Sequence, residues 1–416
     1  MEFVKLNTLK IHGVKIKDIN GFFFGCLLVL IWGENTIFGY AIQVFRRLPI
    51  IGEFYLSIIP FATVILLVLS FPYLLEKIRG ADIIFYSVCV LFLCVSVVAL
   101  PVNAPYIEKD LWRVLGVAIP MYFIGLGYDH IKFKRAIYYT SMLGVFLTFI
   151  YQIYVLNSGR ELPLDNMGAA YNVLPSLLYL VYWAFEKKKV VYWIIAVISL
   201  PIIFIFGTRG PMLACIVFFA FELFFKVFLN KSLSLKILFI GAGIAVLWLL
   251  FFSNILVQLA QFLSGKFEAY GFSTRIFDFF LEGDIAHSSG RDEIYDSAID
   301  AIFQSPAFGY GVMGDRVVTN AVYVHNIVLE FWCQFGLVFG TLLLGVVIII
   351  PIRALYLERQ NPSVFYFILM LTCMVFTKLM LSGSYITEMY LFLLLGICMR
   401  YIRLNKRRAC YESCSN

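Results

Sequence analysis

The sequence predicts an all-α membrane protein with about twelve transmembrane helices, and three observations predict it. Of its 416 residues, 62% are hydrophobic and only 14% are charged, and the mean hydropathy is +0.88, far above the makeup of a soluble domain. Apolar runs long enough to cross a hydrocarbon core of about 30 Å recur along the whole chain. The basic residues also alternate in density between successive connections, as the positive-inside rule requires of a polytopic protein.

In chain order the apolar runs fall at 21–43, 53–75, 81–101, 111–128, 137–156, 171–185, 190–207, 211–229, 236–256, 327–351, 364–381 and 385–402. They leave little chain for a soluble domain, so residues 1–416 read as a single integral-membrane domain. The basic start followed by Gly21 to Ile31 resembles a secretory signal, but no small-residue cleavage site follows and the apolar pattern continues. It is read as an uncleaved first helix. With the N-terminus inside, 22 of the 33 Lys and Arg face the cytoplasm, ten face outward, and Lys378 falls within a helix. Both termini are therefore expected in the cytoplasm. The net charge of +7 follows from this topology and implies no nucleic-acid partner.

The connections are short except for one outward loop at 257–325, too polar to span and too long for a turn. Ser289-Gly290-Arg291-Asp292 has capping-box spacing, and Ile294, Ala298, Ala301 and Ile302 fall on one face of a short amphipathic helix from Arg291 to Gln304. Pro306 stops that helix, and Gly309-Tyr310-Gly311 predicts a flexible turn whose backbone can approach a ligand. Upstream, Phe262, Phe267, Phe272, Phe277, Phe279 and Phe280 suit either a segment in the headgroup layer or an ordinary aromatic belt.

Three side chains on the outer surface are candidates for chemistry. Arg209, in Thr208-Arg209-Gly210-Pro211, stands where a helix begins; its guanidinium, free N–H groups and the helix dipole suit a phosphate, while a headgroup anchor is the bland alternative. Arg291 places a cation in a first helical turn, against the dipole, which suggests an anionic ligand or a pair with Glu293 or Asp296. His325 stands where the loop returns to the membrane and has the ordinary pKa of a general base, though a lone interfacial histidine is commonly a polar anchor. His287 also lies in the loop, while His12 and His130 are expected inside. Asn326 follows His325, and Glu330 lies one turn further on with no evident partner.

Other ionisable groups have structural explanations. Glu222 precedes Lys226 by four in the order that favours a helical pair, and Lys378 and Glu388 flank the Ser382-Gly383-Ser384 turn so that they can meet across a hairpin. Asp292, Glu293, Asp296 and Asp300 read as the solvated face of the loop helix. Seven of the nine cysteines fall in helices and Cys410 and Cys414 in the inner tail, so no disulfide is expected. No Walker A pattern or Asp-x-Asp pair occurs, so neither an ATP cradle nor the metal site of nucleotide-sugar enzymes is visible. The absence of a strong internal repeat weakens a flippase or permease reading, the competing class for a chain of this kind.

The combination Thr208-Arg209-Gly210, then Ser289-Gly290-Arg291 through Gly309-Tyr310-Gly311, then His325-Asn326-Ile327-Val328-Leu329-Glu330 and Gly336-Leu337-Val338-Phe339-Gly340 resembles the O-antigen polymerase and ligase superfamily over residues 195–345. The resemblance implies a bacterial inner-membrane glycosyltransferase of the GT-C-like helical class. Its glycan donor and acceptor would be carried on undecaprenyl diphosphate at the periplasmic face, with a chain-length regulator as a further partner. It implies that Arg209 and Arg291 hold the diphosphate, that His325 takes the acceptor proton and that no metal or cofactor is used; Asn326, Glu330 and Tyr310 are expected as supporting residues from their positions beside it. The short Gly311 to His325 segment and Ser382-Gly383-Ser384-Tyr385 look more like polymerases than ligases.

Overall fold

The computed structural model describes residues 10–11, 14–39, 55–157, 166–205, 208–229, 255–269, 281 and 291–415. Most of the expected span at 236–256 lies outside the described residues, as do Arg46, Arg47, Arg160, His287, Ser289-Gly290, Phe272, Phe277, Phe279 and Phe280. A two-residue antiparallel pair, β1 (Lys10–Ile11) with β2 (Val14–Lys15), precedes the first helix, with Lys10 opposite Lys15. Among the described residues, everything else that is regular is helical.

The helices are α1 (Ile16–Gly33), α2 (Tyr55–Leu75), α3 (Gly80–Ala99), α4 (Ala104–Leu111), α5 (Ile119–Gly127), α6 (His130–Asn157), α7 (Asn166–Lys187), α8 (Val190–Ser199), α9 (Pro201–Ile205) and α10 (Arg209–Leu229). They continue with α11 (Ile255–Ala269), α12 (Asp292–Gln304), α13 (Gly314–Thr319), α14 (Ile327–Phe335), α15 (Leu337–Glu358), α16 (Pro362–Leu381) and α17 (Met389–Ser415). Wider π-type turns extend α1 over Glu34–Phe38 and join α4 to α5 over Trp112–Ala118. Among the described residues, eight helices are long and apolar enough to cross a membrane, at 18–38, 58–75, 80–99, 101–127, 130–154, 209–227, 337–358 and 362–381. The expected span at 171–185 falls within the long helix α7, and that at 385–402 begins in a turn and enters α17 only at Met389. Apart from the short β1–β2 pair, the described residues form the helical architecture of a polytopic membrane protein.

Lipid-facing surface is apolar, as the bilayer requires: Phe61, Val68, Ile84, Val98 and Ile198 are each more than half exposed. Inside, packing follows small residues. A Cβ on Gly396 of α17 would meet the Tyr122 carbonyl and come within 3.0 Å of Gly125 Cα, and one on Gly125 would stand 2.8 Å from Ile397 N. The α5 and α17 backbones therefore touch, and glycine lets apolar helices gain dispersion contact where no hydrophobic drive exists between them.

Ion pairs fix one end of the bundle. Arg403 Nη1 donates to Asp82 Oδ2 at 2.8 Å, Arg400 Nη2 to Asp129 Oδ2 at 3.0 Å, and Lys134 Nζ to Glu186 Oε1 at 2.7 Å. At the other end lie Asp110, Tyr171, Arg209 and the 291–326 segment.

Two expected spans are divided: that at 190–207 falls into α8 and α9, with an apolar helical stretch, Val190–Ile203, shorter than the eight spans. The run at 327–351 breaks at Gly336, which adopts φ +75°, and only the part from Leu337 is a long membrane helix. The reason is a backbone crossing: a Cβ at Gly336 would press on the Ala307 carbonyl and lie 2.8 Å from Pro306 O, while Leu337 N donates to Pro306 O at 2.8 Å. The stretch after α12 thus wedges into the chain between α14 and α15.

Candidate functional site

The 305–326 part of the loop is fastened to the membrane helices by polar contacts. Asn103 Nδ2 donates to Tyr310 O at 2.8 Å and to Val312 O at 3.2 Å, and Val312 N donates to Ser96 Oγ at 2.9 Å. Buried Arg316 Nη1 donates to Asp110 Oδ2 at 2.5 Å. This corrects the flexible turn expected at Gly309-Tyr310-Gly311. Tyr310 N donates to Cys333 O and Gly311 N to Gln334 O, each at 2.8 Å, and Gly309 and Gly311 take φ +66° and +76°. Their conformational freedom serves a close approach to the end of α14, because a Cβ at Gly309 would lie 2.6 Å from both Cys333 O and Gly336 N. Tyr310 therefore fastens the loop to α14 rather than offering a loose backbone to a ligand.

The loop helix forms as its pattern predicts, from Asp292 to Gln304 with Arg291 as its N-cap residue. Ala298 and Ile302 pack with Val324 and Cys333, so one face of α12 rests on α14 and the strand-like approach to it. Asp292 and Glu293 supply the acidic first turn. Arg291 makes no ion pair with Glu293 or Asp296 among the described residues; its charge instead reaches Tyr171 and His325.

His325 precedes Asn326, the N-cap residue of α14, whose side-chain oxygen accepts from Val328 N at 2.9 Å and Leu329 N at 3.2 Å. Asn326 thus has a structural task, ending the loop and starting a helix. His325 itself takes φ +62°, uncommon for a residue with a Cβ. Its ring lies 4.2 Å from that of Tyr323, and its Nδ1 is buried without a hydrogen-bond partner among the described residues. Burial first, and then the Arg291 charge, hold the imidazole down at about 4. A ring with that pKa is neutral at pH 7 and free to accept a proton; an anion set beside Arg291 would screen the cation and raise its basicity.

Arg209 opens α10, and the residue after it identifies its neighbour. A Cβ on Gly210 would overlap the Tyr171 hydroxyl and stand 2.9 Å from Tyr171 Cζ. Tyr171, on α7, is 9% exposed. It lies within electrostatic reach of Arg291, Tyr323 and Glu388, with Ser382 nearby. Lys378 Nζ sits 5.3 Å from its ring centroid and pairs with Glu388 Oε2 at 2.6 Å, the hairpin pair expected from sequence. Tyr171 therefore stands beside the start of α10 that carries Arg209 and within electrostatic reach of Arg291 and of Tyr323, whose ring lies 4.2 Å from that of His325. Tyr171 carried no motif signal, being one of 25 tyrosines in an aromatic-rich chain; only the crossing of α7 over the start of α10 distinguishes it.

Glu330 has the partners that were not evident from sequence. It is fully buried, accepts from Ser384 Oγ, and accepts from Tyr385 N at 3.2 Å. Tyr385 Oη donates to Gln334 Oε1 at 2.6 Å, and Gln334 Nε2 donates to Asp315 Oδ1 at 2.6 Å. Burial pushes Asp315 up to about 6; burial and the Asp315 charge push Glu330 well above the carboxylate range. This chain of side chains ties α13, α14 and the Ser382–Glu388 turn together. Asp315, which no sequence motif marks, belongs to it, and its neighbour Arg316 is held by Asp110.

The arrangement is that of an integral membrane protein with two guanidiniums and a neutral histidine grouped at one end of its helix bundle. Residues 194–345 match a family model described as O-antigen ligase, a segment running from α8 to α15 that includes Arg209, Arg291 and His325. The match supports the O-antigen ligase and polymerase superfamily and does not separate the two activities. No curated protein matches the chain.

Proposed function

We propose that this protein is a glycosyltransferase that polymerises surface-polysaccharide repeat units carried on undecaprenyl diphosphate. The observation that supports the reading is that the start of α10, which carries Arg209, lies against Tyr171, and that the Arg291 charge reaches both Tyr171 and His325. Two fixed guanidiniums stabilise a leaving diphosphate by charge and fork-shaped hydrogen bonding, with preorganised electrostatics doing the work a metal does elsewhere. The displacement at the anomeric carbon proceeds with inversion: the acceptor hydroxyl attacks, its proton passes to His325, and the glycosyl–phosphate bond breaks as the diphosphate leaves on Arg209 and Arg291. Asn326 and Glu330 hold the His325 segment in place, and Tyr310 anchors the loop.

In this reading residues 1–416 form one GT-C-like domain of about twelve spans in a bacterial inner membrane. The termini are cytoplasmic, the 257–325 loop is periplasmic and carries part of the site, and a chain-length regulator is the fitting partner. The description of the matching family favours a second reading, ligation of the glycan to lipid A core.

The test is to incubate purified protein with a defined undecaprenyl-diphosphate-linked repeat unit, without nucleotide or metal, and to separate products by length. A ladder of oligomers that is lost in Arg291→Ala supports the polymerase. Transfer only after lipid A core is added makes the protein a ligase, and neither product favours a lipid-linked glycan transporter.

A further inference from the structure

The three helices that bring Tyr171, Arg209 and Lys378 to the candidate site carry a different feature at their opposite ends. From Tyr171 to Glu186, from Arg209 to Lys226 and from Ser363 to Lys378 the helices run about 22–26 Å at their standard rise, most of a hydrocarbon core. At that far end, between α7, α8, α10 and α16, lies a cavity of ≈ 980 Å³. Its lining joins the aromatics Phe185, Trp193 and Tyr366 with Lys188 and Lys226.

The two acids that line it are already engaged. Glu186 accepts from Lys134 at 2.7 Å and lies 3.5 Å from Lys187. Glu222, 1% exposed, faces Lys226 Nζ at 2.8 Å, while the Lys226 side chain remains 32% exposed. Lys226 Nζ also stands 3.9 Å from the Phe185 ring centroid and 5.3 Å from that of Tyr366. Glu222 and the two rings therefore hold the ammonium in place while leaving N–H donors toward the cavity. Lys134, Lys187, Lys188 and Lys226 outnumber the two acids, and Lys188 is exposed at the mouth.

We propose that this cavity binds the phosphate of an anionic phospholipid in the leaflet opposite the candidate site. Lys188 and Lys226 contact the phosphate, and Trp193 lies at headgroup depth. A basic pocket between helices at the membrane surface is suited to an anionic headgroup, and aromatic rings at that depth are suited to the boundary between headgroup and chain. The exposed apolar residues next to Trp193 on α8, Ile194, Val197 and Ile198, continue from the mouth as a bed for the acyl chains. A free phosphate would use the lysines but not that apolar strip.

The test uses the full-length protein in detergent and native mass spectrometry with dioleoylphosphatidylglycerol, dioleoylphosphatidylcholine or inorganic phosphate. The wild type is expected to retain the glycerol lipid in preference to the choline lipid. Lys188→Glu is expected to lower that retention about fivefold or more, since each basic residue near a membrane surface contributes on that scale. Exchanging the buried pair together, Lys226→Met with Glu222→Met, keeps the net charge and avoids stranding a carboxylate, so loss of retention there reports a local contact rather than long-range charge. Equal retention of the two lipids, or an unchanged preference in both variants, would overturn the proposal. Displacement of the glycerol lipid by millimolar phosphate would refute the lipid as the source of the bound phosphate.

Discussion

Replacing Gly210 by alanine should disable the site through Tyr171 rather than through the helix. On helix propensity alone the change is favourable by about 1 kcal/mol, because glycine is the poorer helix former. The new methyl, however, would overlap the Tyr171 hydroxyl and stand 2.9 Å from Cζ, where ordinary contact needs 3.4 Å or more. Tyr171 has little room to yield, being 9% exposed and covered by Lys378 at 5.3 Å. Overpacking of this kind costs roughly 1–3 kcal/mol, so the net stability change is small. The ring or the Arg209 end of α10 must still shift by roughly 1 Å, and a misplacement of that size next to a reacting centre costs about 100-fold in rate. The assay is oligomer formation from a lipid-linked repeat unit at matched membrane abundance, with Gly210→Ala, Tyr171→Phe and the double variant compared. Tyr171→Phe removes the clashing oxygen, so the double variant should recover part of the loss. Full activity in Gly210→Ala, or a double variant no better than Gly210→Ala, would refute the reasoning.

The remaining predictions concern charge. Arg209→Ala and Arg291→Ala should each lower turnover by about 10²–10³-fold, as removal of a preorganised charge-stabilising donor does, with lysine restoring part of it only if a point charge suffices; unchanged turnover in both removes the diphosphate assignment. The His325 pKa is depressed from 6.5 to about 4, so between those values the unfolded chain binds more protons. The contribution to stability is therefore complete above pH 6.5 and is lost as pH falls toward 4. Thermal unfolding of His325→Gln should show a shallower loss over that window, and Arg291→Gln should raise the imidazole pKa as followed by NMR titration. Asp315 has the opposite sign: its folded pKa is raised from 3.8 to about 6, so its burial disfavours the fold increasingly as pH rises through that range. Asp315→Asn should raise the melting temperature at pH 8 more than at pH 4.5, and an equal effect at both would show that Asp315 is charged throughout.

Much of this protein was determined by local chemistry and is therefore legible in its sequence. Membrane spans are set by runs of apolar residues and the bilayer thickness, so α2, α3, α6, α10 and α16 follow from composition. Helix α12 follows from an apolar face and a stop at Pro306, and the Glu222–Lys226 and Lys378–Glu388 pairs follow from helical and hairpin spacing. Arg291 stood out because a cation opposes the dipole at a helix start. Tertiary structure decided what depends on contacts between distant segments. Gly336 breaks a continuous apolar run only because the Pro306–Ala307 backbone crosses it, and Gly309-Tyr310-Gly311 is rigid only because Cys333 and Gln334 offer carbonyls to it. Tyr171 meets the start of α10 beside Arg209 because α7 crosses it there, and Glu330 finds Ser384 and Tyr385 more than fifty residues away. Periodicity records which face of a helix is buried, whereas the identity of the neighbour on that face depends on how the helices pack.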